Sequence, residues 1–268
     1  MILTTATAIG LMGLACGGAL ALAARFLSVR EDPRVERAAE LLPGANCGGC
    51  GYAGCADYAK AIVLEGAAIN LCAPGGGEVI GKIAQLMGVE AAAAERKVAL
   101  VLCGGDSGNA PRRFAYNGVA DCRAAHAVDG GDKQCRYGCL GYGSCARVCP
   151  VGAIEITAGG LAVVHPGVCI GCGACVKACP RSLIRMVPVS RTIHVLCSSR
   201  DKGPIVKQAC KVGCIGCTLC AKLADNGAIA MDGFLAVVDY DKELTNEAVV
   251  EKCPGKCIVQ RSMEGATA

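Results

Sequence analysis

Twenty-two cysteines in 268 residues, many of them set only three or four positions apart, constrain this chain more than any other feature. Thiols so close in sequence seldom reach disulfide geometry with one another, which argues against a disulfide framework. Metal–thiolate ligation is the better reading, and it implies a reducing compartment. Thirty-seven glycines, three phenylalanines and no tryptophan leave little bulk for an interdigitated apolar core, so metal cross-links are expected to supply stability. The net charge of +4 is scattered, without the basic, aromatic-interleaved patch of single-strand binders, and nucleic acid is excluded as a partner.

No charged side chain occurs from Met1 to Ala24, and Ile2 through Leu22 is mostly Ile, Leu, Ala, Gly and Met. About 20 such residues suffice to cross a bilayer. No basic n-region precedes the run, so the pattern predicts an uncleaved anchor rather than a signal peptide. Arg25, Arg30, Arg34 and Arg37 follow it, which puts the bulk of the chain on the cytoplasmic side of the inner membrane. The glycines at 10, 13, 17 and 18 suit either a partner helix or an ordinary apolar helix. Cys16 reads as a small lipid-compatible residue.

After a charged linker (Arg30 to Glu40) comes Asn46-Cys47-Gly48-Gly49-Cys50-Gly51-Tyr52-Ala53-Gly54-Cys55, with Cys72 following a stretch of helical composition from Ala56 to Ala68. Four thiolates make one tetrahedral metal site or one cubane. Glycines between them allow a tight fold with amides aimed at sulfur.

Cys169-Ile-Gly-Cys172-Gly-Ala-Cys175-Val-Lys-Ala-Cys179-Pro180 is the bacterial ferredoxin run C-x2-C-x2-C-x3-C-P, in which the fourth cysteine serves the neighbouring cluster. The partner run is Cys139, Cys145 and Cys149-Pro150, with Tyr142 in the place of its middle cysteine and Cys135 one turn earlier as the substitute. The expected ligand sets are therefore Cys135, Cys139, Cys145 and Cys179 for one cubane, and Cys149, Cys169, Cys172 and Cys175 for another.

The chain then repeats. Val101-Leu-Cys103 returns as Val195-Leu-Cys197, Cys135-Arg-Tyr-Gly-Cys139 as Cys210-Lys-Val-Gly-Cys214, and Gly152-Ala-Ile154 as Gly227-Ala-Ile229. In the second copy Cys214, Cys217, Cys220 and Cys253 keep the complete ligand set of one cubane. Ala224, Glu243, Asn246 and Val249 stand at all four places of the other. Random loss would rarely respect that partition, so one cluster has been removed cleanly and four 4Fe-4S clusters are expected in all. Cys103 and Cys197, at the ends of apolar runs, read as buried small hydrophobes. Cys210 and Cys257 compete for places in the last cubane, and Cys122 has no assignment. The isolated His126, His165 and His194, and Gly75-Gly-Gly77 without a following Lys-Ser/Thr, carry no ligand or phosphate signal, and no dinucleotide fingerprint stands in a strand-to-helix context.

The expected fold is α+β: a single N-terminal transmembrane helix (1–27), a small, mostly helical four-cysteine iron–sulfur module (28–92), and two tandem ferredoxin-like units of the bacterial two-cluster type. The first unit (93–190) holds two clusters and the second (191–268) retains one. Ala162-Val-Val164 and Ala236-Val-Val238 read as matching strands. This order of parts resembles the B subunit of the Rnf-type ion-translocating electron transport complex, and the resemblance covers nearly the whole chain. It implies a membrane-bound translocase component that exchanges electrons with soluble ferredoxin, alongside membrane and cytoplasmic partner subunits that move sodium or protons. The missing cubane departs from members with fuller runs. A zinc-holding tethered structural or assembly protein, and a stand-alone anchored ferredoxin, are the competing readings. No acid/base or nucleophilic constellation marks a catalytic site of the chain's own. Lys177, Arg181, Lys211 and Lys222 either steer an acidic ferredoxin or form solvated surface.

Overall fold

The computed structural model describes residues 2–26, 32–90 and 95–263. Helix α1 (Ile2–Phe26) comes first, and its leucines at 11, 14, 20 and 22 are all exposed. Among the described residues no helix is long and apolar enough to cross a membrane. The side chains of residues 1–9, which carry the start of the apolar run, lie outside the described set.

Most of the charged stretch expected as a linker is helical. In α2 (Pro33–Leu41) the Asp32 carboxylate accepts from the Arg34 amide at 2.9 Å, and Pro33 gives up no helical hydrogen bond at the first position. Val35 and Ala38 are buried, and Ala38 and Leu42 pack with α3 (Cys55–Leu64) and α4 (Gly76–Met87) around Tyr58, Ile62 and Ile83. A left-handed Gly88 ends α4.

Strand β1 (Lys97–Val101) opens the first ferredoxin-like unit, followed by α5 (Cys122–Ala127), α6 (Ser144–Arg147), β2 (Ile154–Ile156), β3 (Ala162–Val164), α7 (Ala174–Ala178) and β4 (Ile184–Pro188). The outer strands β1 and β4 pair antiparallel, from Lys97↔Pro188 to Val101↔Ile184, and β2 and β3 form an inner hairpin. The second unit repeats this plan. It runs through β5 (Ile193–Val195), α8 (Gly203–Ala209), α9 (Leu219–Leu223), β6 (Ile229–Asp232), β7 (Leu235–Val238), α10 (Ala248–Glu251) and β8 (Ile258–Gln260), with β5 on β8 and β6 on β7. The strands expected over 162–164 and 236–238 lie in β3 and β7.

Cysteines are part of the cores themselves. Cys103, Cys139, Cys145 and Cys175 belong to the buried cluster of the first unit, and Cys214, Cys220 and Cys257 to that of the second. Of the four places where the second unit has no matching cysteine, that of Val249 is filled by apolar packing. Val249 is 1% exposed and shares one core with Tyr240, Leu244 and Val238, while Asn246 turns aside to donate to the Leu223 carbonyl at 2.9 Å.

Candidate metal centres

Cys47, Cys50, Cys55 and Cys72 line one cavity of about 310 Å³. The Cys55 amide donates to Oδ1 of Asn46 at 2.8 Å, folding the ligand loop back on itself. The Tyr58 hydroxyl donates to the Ala68 carbonyl at 2.7 Å and accepts from the Leu71 amide at 3.1 Å, holding the return loop that carries Cys72. Burial raises the Tyr58 phenol to about 12 and also pushes the Cys72 thiol up.

Cys149, Cys169 and Cys172 surround Cys175, whose thiol is pushed up to about 11, by burial first and then by these neighbours. Amides are aimed at the sulfurs: Ala99 donates to Cys169 at 3.5 Å and Ala153 to Cys149 at 3.3 Å. This is the set expected from the spacing.

The next cage differs from expectation. Cys139, Cys145 and Cys179 line a cavity of about 370 Å³ with Cys122, and Cys135 is absent from it. Asp121 is the reason. Its carboxylate caps α5 through the Arg123 amide at 2.8 Å, and also accepts from the Ser144 hydroxyl at 2.8 Å, at the start of α6. The Cys122 amide donates to that same hydroxyl at 2.8 Å, so the two helix starts are pinned together and Cys122 reaches the cage. Tyr142, standing where the run lacks its cysteine, turns its hydroxyl to Asp132 at 2.7 Å instead. Burial, with Cys139, Cys122 and Cys179 nearby, pushes the Cys145 thiol up to about 12. The sequence held little signal for Cys122, which sits in a stretch with no counterpart in the second unit. Cys135 instead lines a separate cavity of about 350 Å³ with Cys103, Cys197 and Cys210.

Cys214, Cys217, Cys220 and Cys253 line a cavity of about 390 Å³ in the second unit, joined by Cys257. The Cys257 sulfur is 3.8 Å from that of Cys253. Hydrogen bonding with Cys257 draws the Cys214 and Cys253 thiols down and pushes that of Cys257 up. Cys217 is exposed. Arg181, expected at the surface, is half-buried and donates to the Cys135 carbonyl at 3.1 Å.

Among the described residues no three His, Cys, Asp or Glu side chains are drawn in closely enough to hold a single metal ion; the thiols stand around cavities. All-thiol donor sets, with backbone amides aimed at several of the sulfurs, fit iron–sulfur clusters. The cages also abut. An added Cβ on Gly49 would lie 2.8 Å from the Cys172 carbonyl oxygen, so the first loop rests on the second cage, and Cys175 lies within electrostatic reach of Cys145 in the third.

Comparison with known proteins finds iron–sulfur families over two stretches of the chain. The family model for an Fe-S cluster matches residues 42–74, and that for a 4Fe-4S dicluster domain matches residues 131–185. The chain is 46% identical to the B subunit of the Na(+)-translocating ferredoxin:NAD(+) oxidoreductase complex of Acetobacterium woodii, over 93% of this chain and 75% of that one. It is 42% identical to the B subunit of the ion-translocating oxidoreductase complex of Methanosarcina acetivorans, over 93% and 95% of the two chains. To the B subunit of the proton-translocating ferredoxin:NAD(+) oxidoreductase complex of Clostridium ljungdahlii it is 43% identical, over 95% and 89%.

Proposed function

This chain belongs to the B-subunit family of ion-translocating oxidoreductase complexes, and from that premise we propose that it is the membrane-anchored, multi-cluster electron wire of such a complex. It exchanges electrons with ferredoxin on the cytoplasmic side, and partner subunits carry out the ion movement. One observation carries the reading: thiol cages that abut in series, from the Gly49 loop resting on the Cys172 backbone to Cys175 and Cys145 within one buried core.

The ligand sets we assign are Cys47, Cys50, Cys55 and Cys72; Cys149, Cys169, Cys172 and Cys175; Cys122, Cys139, Cys145 and Cys179; and Cys214, Cys217, Cys220 and Cys253. A 4Fe-4S cluster held in such a cage supplies one-electron chemistry with no bond made or broken in a substrate. The chain's own residues hold the ligands at fixed separations, exclude water by burial and aim amides at the sulfurs. Cys217 is exposed in its cage, and the exposed Lys222, Lys252 and Lys256 stand close to that cage in sequence, which supports a docking end for an acidic partner. Similar relatives are named for sodium translocation and for proton translocation. The anchor rests on the uncharged run before Arg25 and on the exposed leucines of α1.

The test is anaerobic iron, sulfide and zinc analysis of the purified chain, with EPR after dithionite reduction. Reducible cubane signals are expected. Zinc with no reducible signal sinks the proposal.

A further inference from the structure

Four cysteines outside those sets meet at the seam between the two ferredoxin-like units. Cys103 and Cys135 come from the first unit, Cys197 and Cys210 from the second, and all four line one cavity. Each pair occupies the same places in its own copy of the repeat. The hydrogen bonds repeat as well. The Cys103 sulfur accepts from the Gly105 and Cys139 amides, both at 3.4 Å, and the Cys197 sulfur accepts from the Ser199 amide at 3.5 Å and the Cys214 amide at 3.3 Å. Cys139 and Cys214 are themselves equivalent residues, so the cage has an approximate two-fold axis running between the units. Across it the Gly104 amide donates to the Leu196 carbonyl at 3.0 Å, and the Ser198 hydroxyl to the Leu102 carbonyl at 3.0 Å.

The seam is shaped by small residues and carries buried positive charge. A Cβ on Gly105 would stand 3.3 Å from the Cys210 sulfur and 3.7 Å from that of Cys103, so any larger residue there would press on the cage. Lys133 is 3% exposed, and its ammonium donates to the carbonyls of Gly105 and Cys139. Among the described residues it has no carboxylate within ion-pair distance. A cation buried without an anion is costly, and thiolate-bound iron–sulfur groups supply the missing negative charge.

We infer that Cys103, Cys135, Cys197 and Cys210 hold a further 4Fe-4S cluster, shared by the two units with two ligands from each. This rests on the electron-wire reading and completes it. The cage of Cys214 meets the seam through the Cys214 amide on Cys197, and the cage of Cys139 meets it through the Cys139 amide on Cys103. With the seam occupied, all the cysteines except Cys16 and Cys257 are ligands.

The experiment compares the full chain, purified anaerobically, with Cys135→Ser/Cys210→Ser and Cys103→Ser/Cys197→Ser, by iron and acid-labile sulfide content and by EPR in a reductive titration. Wild type is expected to hold about 20 irons and each double variant about 16, with the other cubane signals retained. Variants that keep the wild-type iron content, or zinc replacing about four irons in the wild type, overturn the inference. Should the variants fail to fold, the wild type decides: about 20 irons supports the shared cluster, and about 16 with intact cubane signals overturns it while leaving the electron-wire reading standing. Absence of any reducible iron defeats that reading instead.

Discussion

Cys122 and Cys257 show how much depends on single thiols. Cys122 reaches its cage only because Asp121 pins the start of α5 to Ser144. Cys122→Ser is expected to lose about four irons and one cubane EPR signal, whereas Cys16→Ser loses none. Cys257 stands where the first unit has Leu183, with its sulfur within hydrogen-bonding distance of that of Cys253, 3.8 Å away. Cys257→Leu should therefore keep the iron content and lower the reduction potential of that centre, because a hydrogen bond to ligand sulfur favours the more negative, reduced state; a redox titration followed by EPR checks this. His194 is fully buried on β5, with Nδ1 3.0 Å from the Tyr240 hydroxyl and, among the described residues, no hydrogen-bond partner for Nε2. Burial, with some help from the Arg261 charge, holds its pKa down to about 4. The stability contributed by neutral His194 is thus complete above the unfolded value of about 6.5 and drains away as pH falls from there towards 4. Thermal unfolding from pH 7.5 to 5.5 should show a falling midpoint in wild type and a flatter profile in His194→Gln.

Helices and loops set how the cages meet. The loop of Gly49 lies on the backbone of Cys172, and Gly171, with φ of +73°, lies where a Cβ would stand 2.6 Å from the Lys97 carbonyl oxygen. Gly49→Ala should push the four-cysteine module off the second cage without removing a ligand. The expected result is unchanged iron content with weakened magnetic coupling between the two centres, read by EPR of the fully reduced protein. The C-x2-C spacings were legible in the sequence because a short loop fixes where its own sulfurs fall. The helical α2 was less so: its charged face resembles a linker, and only the burial of Val35 and Ala38 shows what the helix is for.

Across the whole molecule, the cores of both ferredoxin-like units are built partly of ligand cysteines. Stripping the iron under anaerobic conditions should therefore abolish the cooperative thermal transition and not merely bleach the chain. Calorimetry before and after chelation measures this. The lysines near the exposed Cys217 cage make a second expectation at this scale. Lys222→Glu/Lys252→Glu should slow electron exchange with ferredoxin, with the largest effect at low ionic strength and none on iron content. Removal of residues 2–26 is expected to shift the chain from the membrane fraction to the soluble fraction with its iron retained.

The amino-acid sequence by itself determined that this is a thiolate–metal protein with an internal repeat. It also determined which cysteines belong to tight local runs, and that the second copy of the repeat has no cysteine at four of the matching places. Those features depend on spacing along the chain, where a few residues of loop fix the geometry. The tertiary structure decided what spacing cannot. Cys122 comes from a helix pinned in place by a remote serine. Cys135 turns from its own run to a seam where two units meet, joining Cys103, Cys197 and Cys210. Ligands gathered from distant segments depend on how surfaces pack, and that is settled only when the two halves of the repeat come together.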